Sequence, residues 1–226
     1  MDTREMVTPR NPCFSAQSPH IARWLSPFFL ACAFYFLIWV PEDQPLWVSA
    51  LVKGLPVLCL VVFLGAVAPE GGSTPLFQGG LLCSFVGDAC LVWPEAFLYG
   101  MAAFAAAHLL YLAALGFSPL RPGLLLPVLL PAGAFLGLLR PHLPPALAAP
   151  VAAYSLLMAL VLWRGLARRG GAGRGALLFA FSDALLAWDT FVRPLPRGRL
   201  LVMASYYAGQ AFLARSAVGS PRRRAR

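Results

Sequence analysis

Along its 226 residues the chain returns repeatedly to stretches of about twenty residues that hold one charge or none, the length a helix needs to cross a hydrocarbon core of ~30 Å. A soluble fold of this size needs polar side chains over its exterior, and these stretches supply almost none. With 59% of residues hydrophobic, 12% charged and a mean hydropathy of +0.71, the chain lies outside the composition of soluble domains. The implied solvent is lipid. The fold class is all-α: a polytopic membrane bundle of about eight transmembrane helices.

The apolar runs place helices at roughly 22–40, 47–67, 76–93, 96–116, 122–139, 145–166, 172–193 and 199–217. Breakers separate them at Pro41 to Pro45, Pro69 to Pro75, Trp93-Pro94, Ser118-Pro119, Pro141 to Pro145, Gly170 to Gly175 and Pro194 to Pro196. All connections are short, so residues 22–217 are expected to form one transmembrane domain. Residues 1–21 are polar and contain prolines; they read as a disordered cytoplasmic tail without a cleavable signal peptide. Residues 218–226 form a basic cytoplasmic tail whose PRRRAR reads as a topology anchor.

Eighteen Lys and Arg against nine Asp and Glu give +9, and the basic residues collect at the ends of the apolar runs. With an even number of spans both termini share one side, which gathers Arg4, Arg10, Arg23, Arg121, Arg164, Arg168, Arg169, Arg174, Arg215 and the terminal arginines. The other side holds Arg140, Arg193, Arg197 and Arg199 beside Glu42, Asp43 and Glu95. The positive-inside rule then puts both termini in the cytoplasm. No folded basic face with interleaved aromatics can be drawn, which sets nucleic acid aside as a partner. Cys13, Cys32, Cys59, Cys83 and Cys90 show neither CxxC spacing nor a neighbouring His cluster, so no metal site is expected.

Gly87-Asp88-Ala89-Cys90-Leu91-Val92-Trp93 aligns with Ser182-Asp183-Ala184-Leu185-Leu186-Ala187-Trp188. Four spans separate the two, so related halves would make a 4+4 parallel internal repeat with both acids at equal depth. An Asp inside a span costs about 2.5 to 3.5 kcal/mol on insertion scales and is expected to face a polar interior. Asp189 lies about 240° around the helix from Asp183 and is the weaker candidate for chemistry.

Other polar groups fall where they could meet these acids. Ser84 is one turn before Asp88; His108 and Tyr111 share a face of the fourth helix; Tyr206, Tyr207 and Gln210 share a stripe of the eighth; Lys53, the sole lysine, begins the second. Singly, these read as a satisfied interior histidine, interface tyrosines and a snorkelling lysine. Together they describe a polar cavity inside an apolar bundle.

In the order Lys53-x-x-Pro56, Ser84-x-x-Gly87-Asp88, His108-x-x-Tyr111, Ser182-Asp183 and Tyr206-Tyr207-x-x-Gln210, over roughly residues 22–215, the chain resembles the YhhN-type transmembrane family of lysoplasmalogenases. The segments WLSPF, WVPEDQ, GDACLVWP and PVAAY extend the likeness. The resemblance implies hydrolysis of the vinyl ether bond of a lysoplasmalogen, with release of a fatty aldehyde and glycerophosphoethanolamine or glycerophosphocholine, in the endoplasmic reticulum membrane.

The chemistry suits the residues. A vinyl ether hydrolyses by protonation at carbon, which creates an oxocarbenium ion that water captures as a hemiacetal. Two carboxyls in a shielded site can divide this labour, one donating the proton and the other stabilising charge and activating water. Glycosidases use the same logic on unrelated folds. Asp88 and Asp183 are the expected pair, with either as the acid. His108, Tyr111, Tyr207 and Gln210 are expected to orient water or the glycerol hydroxyl, Ser84, Ser182 and Tyr206 to line the same site, and Lys53 to meet the phosphate. No cofactor is needed. The substrate is a lysophospholipid arriving sideways from bilayer lipid, and the small residues on several helices permit a homodimer. The rival readings are a lipid or small-molecule transporter using the intramembrane acids, and a non-catalytic adaptor.

Overall fold

Inside hydrocarbon no water is available to bond the backbone, so each span must close its own N–H···O=C bonds as a helix. The computed structural model describes residues 17–38, 47–68 and 71–218. Within them run eight α-helices: α1 Gln17–Ile38, α2 Trp47–Val67, α3 Thr74–Cys90, α4 Phe97–Leu115, α5 Leu125–Leu139, α6 Pro145–Arg168, α7 Gly170–Phe191 and α8 Gly198–Val218. Arg4, Arg10 and Cys13, the Pro41 to Pro45 break with Glu42 and Asp43, Pro69, and Arg222, Arg223, Arg224 and Arg226 lie outside the described residues.

Five spans, built on α1, α2, α4, α5 and α6, are long and apolar enough to cross a membrane, and the protein is a multi-pass membrane protein. The outward surface agrees: Phe29, Leu30, Val62, Leu126, Leu130 and Leu138 are all exposed along the spans, an apolar surface far more extensive than water tolerates and suited to lipid. Helices α3, α7 and α8 fall outside that group for a physical reason. The first is 17 residues long, and the other two carry Arg174, Asp183 and Asp189, or Arg199, Arg215 and Gln210. Their neighbours shield them, since α8 packs against α2, α3 and α7 together. The most polar helices are thus the inner ones, where polar side chains meet one another instead of lipid.

Successive helices pack in pairs from α1 to α4 and again from α5 to α8; α4 lies against α6 as α8 lies against α2. A duplicated four-helix unit would leave that order of neighbours, but it would also pair α4 with α7 as α8 pairs with α3, and that contact is not formed to the same extent. The two Asp-Ala motifs also end differently. Helix α3 stops at Cys90, leaving Trp93 in the connection, whereas α7 continues through Trp188 to Phe191. Trp93 packs against Trp47 with ring centroids 4.7 Å apart and the rings tilted by 59°, an aromatic pair of the kind that anchors a membrane interface.

The glycine-rich stretch at 170–175, expected to break the chain, is instead the first turns of α7. Only Arg169 separates α6 from α7, with Gly170 in the left-handed region at φ 59°. The remaining glycines serve helix contact. A Cβ built on Gly173 would stand 3.2 Å from the Gly165 carbonyl oxygen, and one on Gly165 would stand 2.8 Å from that of Ala172. Small residues let two backbones approach in lipid, where apolar side chains gain little by leaving the hydrocarbon.

Arg164, counted above among the basic residues of a helix end, is wholly buried. Its Nε donates to the Gly116 carbonyl at 2.7 Å, and Nη1 donates to those of Pro119 at 2.8 Å and Leu120 at 3.2 Å. The guanidinium also sits 4.9 Å from the Trp163 ring centroid, so one side chain ties the α4–α5 connection to α6. Arg164→Met should leave these carbonyls without their donor and lower stability by about 3 kcal/mol, read as a lower unfolding midpoint of the detergent-solubilised protein.

Candidate active site

Helix α4 places His108 and Tyr111 on one face, three residues apart, so that each looks into a different cluster of polar groups. Around Tyr111 gather residues from α3, α8 and α2. Tyr206 donates its hydroxyl proton to Asp88 Oδ2 at 2.6 Å, and Tyr111 donates to Gln210 Oε1 at 2.7 Å. Ser84 neighbours the Tyr111 hydroxyl, Gln210 also neighbours that of Tyr206, and Lys53 acts electrostatically on Asp88. Asp88 is 2% exposed; Ser84 and Gln210 are wholly buried.

Around His108 gather α6 and α7. Tyr154 donates to Asp183 Oδ2 at 2.8 Å, and the same oxygen lies 3.8 Å from His108 Nε2. The Phe104 carbonyl oxygen is 2.5 Å from His108 Nδ1 and is a much stronger acceptor than the Met158 sulfur beside Nε2, so the neutral ring carries its proton on Nδ1. Nε2 is thereby turned toward Asp183, with the Met158 sulfur 2.8 Å away. The Asp183 side chain is 20% exposed, which makes it the more accessible acid.

Aromatic rings join the clusters. The Phe179 ring lies 4.8 Å from that of His108 and 5.4 Å from that of Tyr206, and the Phe104 ring meets those of Phe179 and Tyr206 edge-on. Gly87 accommodates this wedge, since a Cβ there would be 2.6 Å from the Phe104 ring. The two carboxyls are therefore held on separate tyrosines with an aromatic wedge beside both.

The residues singled out from sequence divide accordingly. Asp88, Ser84, Lys53, Tyr111, Tyr206 and Gln210 come together in one cluster, and His108 with Asp183 in the other. Ser182 donates to the Val202 carbonyl at 2.9 Å, and Tyr207 to that of Lys53 at 2.7 Å, so these hydroxyls bind α8 to α7 and α2. Asp189 accepts from the Leu195 backbone N–H at 2.6 Å and shapes the α7–α8 connection.

Residues 48–217 of the chain match a family model described as the YhhN family. The chain belongs to the YhhN family. Every residue of both clusters falls inside that match. Two relatives are proteins named lysoplasmalogenase TMEM86B: the chain is 60% identical to the Sus scrofa protein over 98% of each chain, and 59% identical to the Homo sapiens protein over 92% of each. It is 40% identical to the Bos taurus lysoplasmalogenase TMEM86A, over 87% of this chain and 89% of that one. No solved structure matches.

Tyr154 is the carboxyl-binding member of this site that the sequence does not single out, as it does not single out Phe104, Met158 and Phe179, although Tyr154 lies in the PVAAY segment. Its signal was available: a tyrosine well inside a span, one turn from Met158, has no interface to anchor. Tyr154→Phe should remove one hydrogen bond from Asp183 and reduce kcat for substrate turnover roughly tenfold, with KM nearly unchanged, in steady-state assays.

Proposed function

We propose that this chain is a lysoplasmalogenase, a membrane hydrolase that cleaves the vinyl ether of an alkenyl-glycerophosphoethanolamine or -choline. The observation that carries this reading is identity near 60% over almost the full length of a protein bearing that name. The site supplies suitable chemistry. Asp183 gives its proton to the β-carbon of the vinyl ether, the double-bond electrons form the new C–H bond, and positive charge spreads over the α-carbon and the ether oxygen. The carboxylate left behind opposes that charge in a low-dielectric setting. Water adds to the cationic carbon and passes a proton to His108 Nε2, which returns it to Asp183. The hemiacetal then breaks to fatty aldehyde and the glycerol hydroxyl, so atoms and protons balance.

Asp88 is the second carboxyl of the pair, fixing Tyr206 and opposing the cation from the other side of the aromatic wedge. Tyr111, Gln210 and Ser84 orient water or the glycerol hydroxyl, with Lys53 toward the phosphate. Substrate arrives from bilayer lipid, the protein works in the endoplasmic reticulum membrane with both termini cytoplasmic, and its small-residue faces support a homodimer. None of the relatives named above bears a transporter's name, and the carrier reading is dropped.

The test uses purified protein in detergent, without gradient or second compartment, given alkenyl, alkyl and acyl lysophosphatidylethanolamine in turn. Aldehyde from the alkenyl lipid alone is expected, because only that substrate offers a carbon basic enough to protonate. Turnover of the acyl lipid at a comparable rate would replace this reading with that of a lysophospholipase.

A further inference from the structure

At the arginine-rich end of the bundle, read above as cytoplasmic, a cavity of about 560 Å³ opens between α3, α7 and α8. Arg168, Arg169, Arg174 and Arg215 surround it, while Phe77 and Phe212 give it an apolar wall. Among the described residues no carboxylate pairs with any of the four arginines, and the lining contains no acid. The first turn of α7 lines the same space, and its cap residue Arg169 makes no side-chain bond to the turn's N–H groups. Buried Arg164 adds its charge beside Arg168.

Four like charges gathered around one cavity repel one another, and an anion there would relieve the repulsion. Arginine forks and open helix N–H groups both suit phosphate oxygens. The aromatic wall suits the glycerol and first methylenes of a lipid, as in basic pockets between spans that hold anionic headgroups. The cavity borders the hydrolytic site at Phe77, whose ring lies 5.9 Å from that of Tyr111, but its arginines stand too far from the acids for one substrate to span both. Arg215 lies about 13 Å along α8 from Tyr206, the partner of Asp88, at ~1.5 Å per residue. In the substrate, phosphate and vinyl ether sit on one glycerol, a shorter span than that.

We propose that this cavity binds a phosphate-bearing anion, supplied by the headgroup of an anionic phospholipid, at a site separate from hydrolysis. The full-length protein in detergent is incubated with equal dioleoyl phosphatidylglycerol and dioleoyl phosphatidylcholine, and retained lipid is counted by native mass spectrometry. Retention of the anionic lipid about tenfold above the zwitterionic one is expected. Arg168→Gln with Arg174→Gln should erase the preference, whereas Arg140→Gln with Arg193→Gln, at the other end of the bundle, should keep it. Should the first pair fail to fold, Arg215→Gln alone should lower the preference severalfold.

Inorganic phosphate is the second arm. Failure of phosphate to displace the lipid supports the headgroup as the source, while displacement keeps the phosphate chemistry and overturns the headgroup as its source. Equal retention of both lipids by the wild type, or a preference untouched by the arginine variants, overturns the proposal. Aldehyde release is measured on the same preparations in phosphatidylcholine micelles, where these arginine variants should work at the wild-type rate, so the two readings fail separately.

Discussion

Asp183→Asn should lower kcat for aldehyde release by about 10³-fold, within the range that positioned general acids contribute. The amide preserves the shape of the carboxyl and still accepts from Tyr154, but it has no acidic proton to give to carbon. Asp88→Asn should cost a comparable factor, because a carboxamide beside Tyr206 carries no charge to oppose the oxocarbenium ion. Both variants should elute and melt like the wild type, since each keeps its tyrosine hydrogen bond. The check is steady-state aldehyde release together with size-exclusion profile and unfolding midpoint. A variant that folds and retains near-normal turnover removes that acid from the mechanism. The double variant should be little worse than the poorer single one, as happens when two groups serve one step.

Gly175→Val should separate α7 from α8. A Cβ at this position would stand 2.8 Å from the Leu213 backbone nitrogen and 2.9 Å from the Gly209 carbonyl oxygen, and backbone atoms cannot move aside by changing rotamer. The reciprocal contact is equally close, with a Cβ on Gly209 3.0 Å from the Phe179 nitrogen. Tyr206 lies one turn from Gly209 and Phe179 one turn before Asp183, so parting these helices shifts both clusters at once. The expected cost is about 3 kcal/mol of stability with near-total loss of turnover, read from the unfolding midpoint and the aldehyde assay. Gly137→Val on α5 is the control, because a Cβ there meets nothing within 4 Å. It should leave both readings close to wild type.

Much of this is legible in the amino-acid sequence. Runs of apolar residues between prolines located the spans, because helix length in lipid is set by hydrocarbon thickness. The cost of an ionisable group in a span picked out Asp88 and Asp183. What the chain did not disclose is which groups touch. Tyr206 and Tyr207 are adjacent and both polar, yet one bonds Asp88 while the other bonds a backbone carbonyl of α2. That division depends on how α8 is rotated against its neighbours, a property of packing between helices and not of sequence spacing. The glycines after Arg169 misled for a related reason. Glycine marks a break in water, but between lipid-embedded helices it also marks close approach, and only the position of Phe212 and Leu213 on α8 distinguishes the two. Tyr154 does not stand out because α6 is otherwise an apolar run with no other ionisable group until Arg164.

Hydrolysis as proposed rests on protonation at carbon by a positioned acid, followed by water addition at the same vinyl ether. The most direct measurement runs the wild-type protein in deuterium oxide enriched in oxygen-18 and analyses both products at early times. The expected result is one deuterium at the carbon next to the aldehyde, in a single configuration, with no oxygen-18 in the glycerophospho product. Oxygen-18 on the glycerol, or deuterium in equal amounts of both configurations, would contradict it, since either result means that the bond is cut elsewhere or that the proton is not delivered by a fixed side chain.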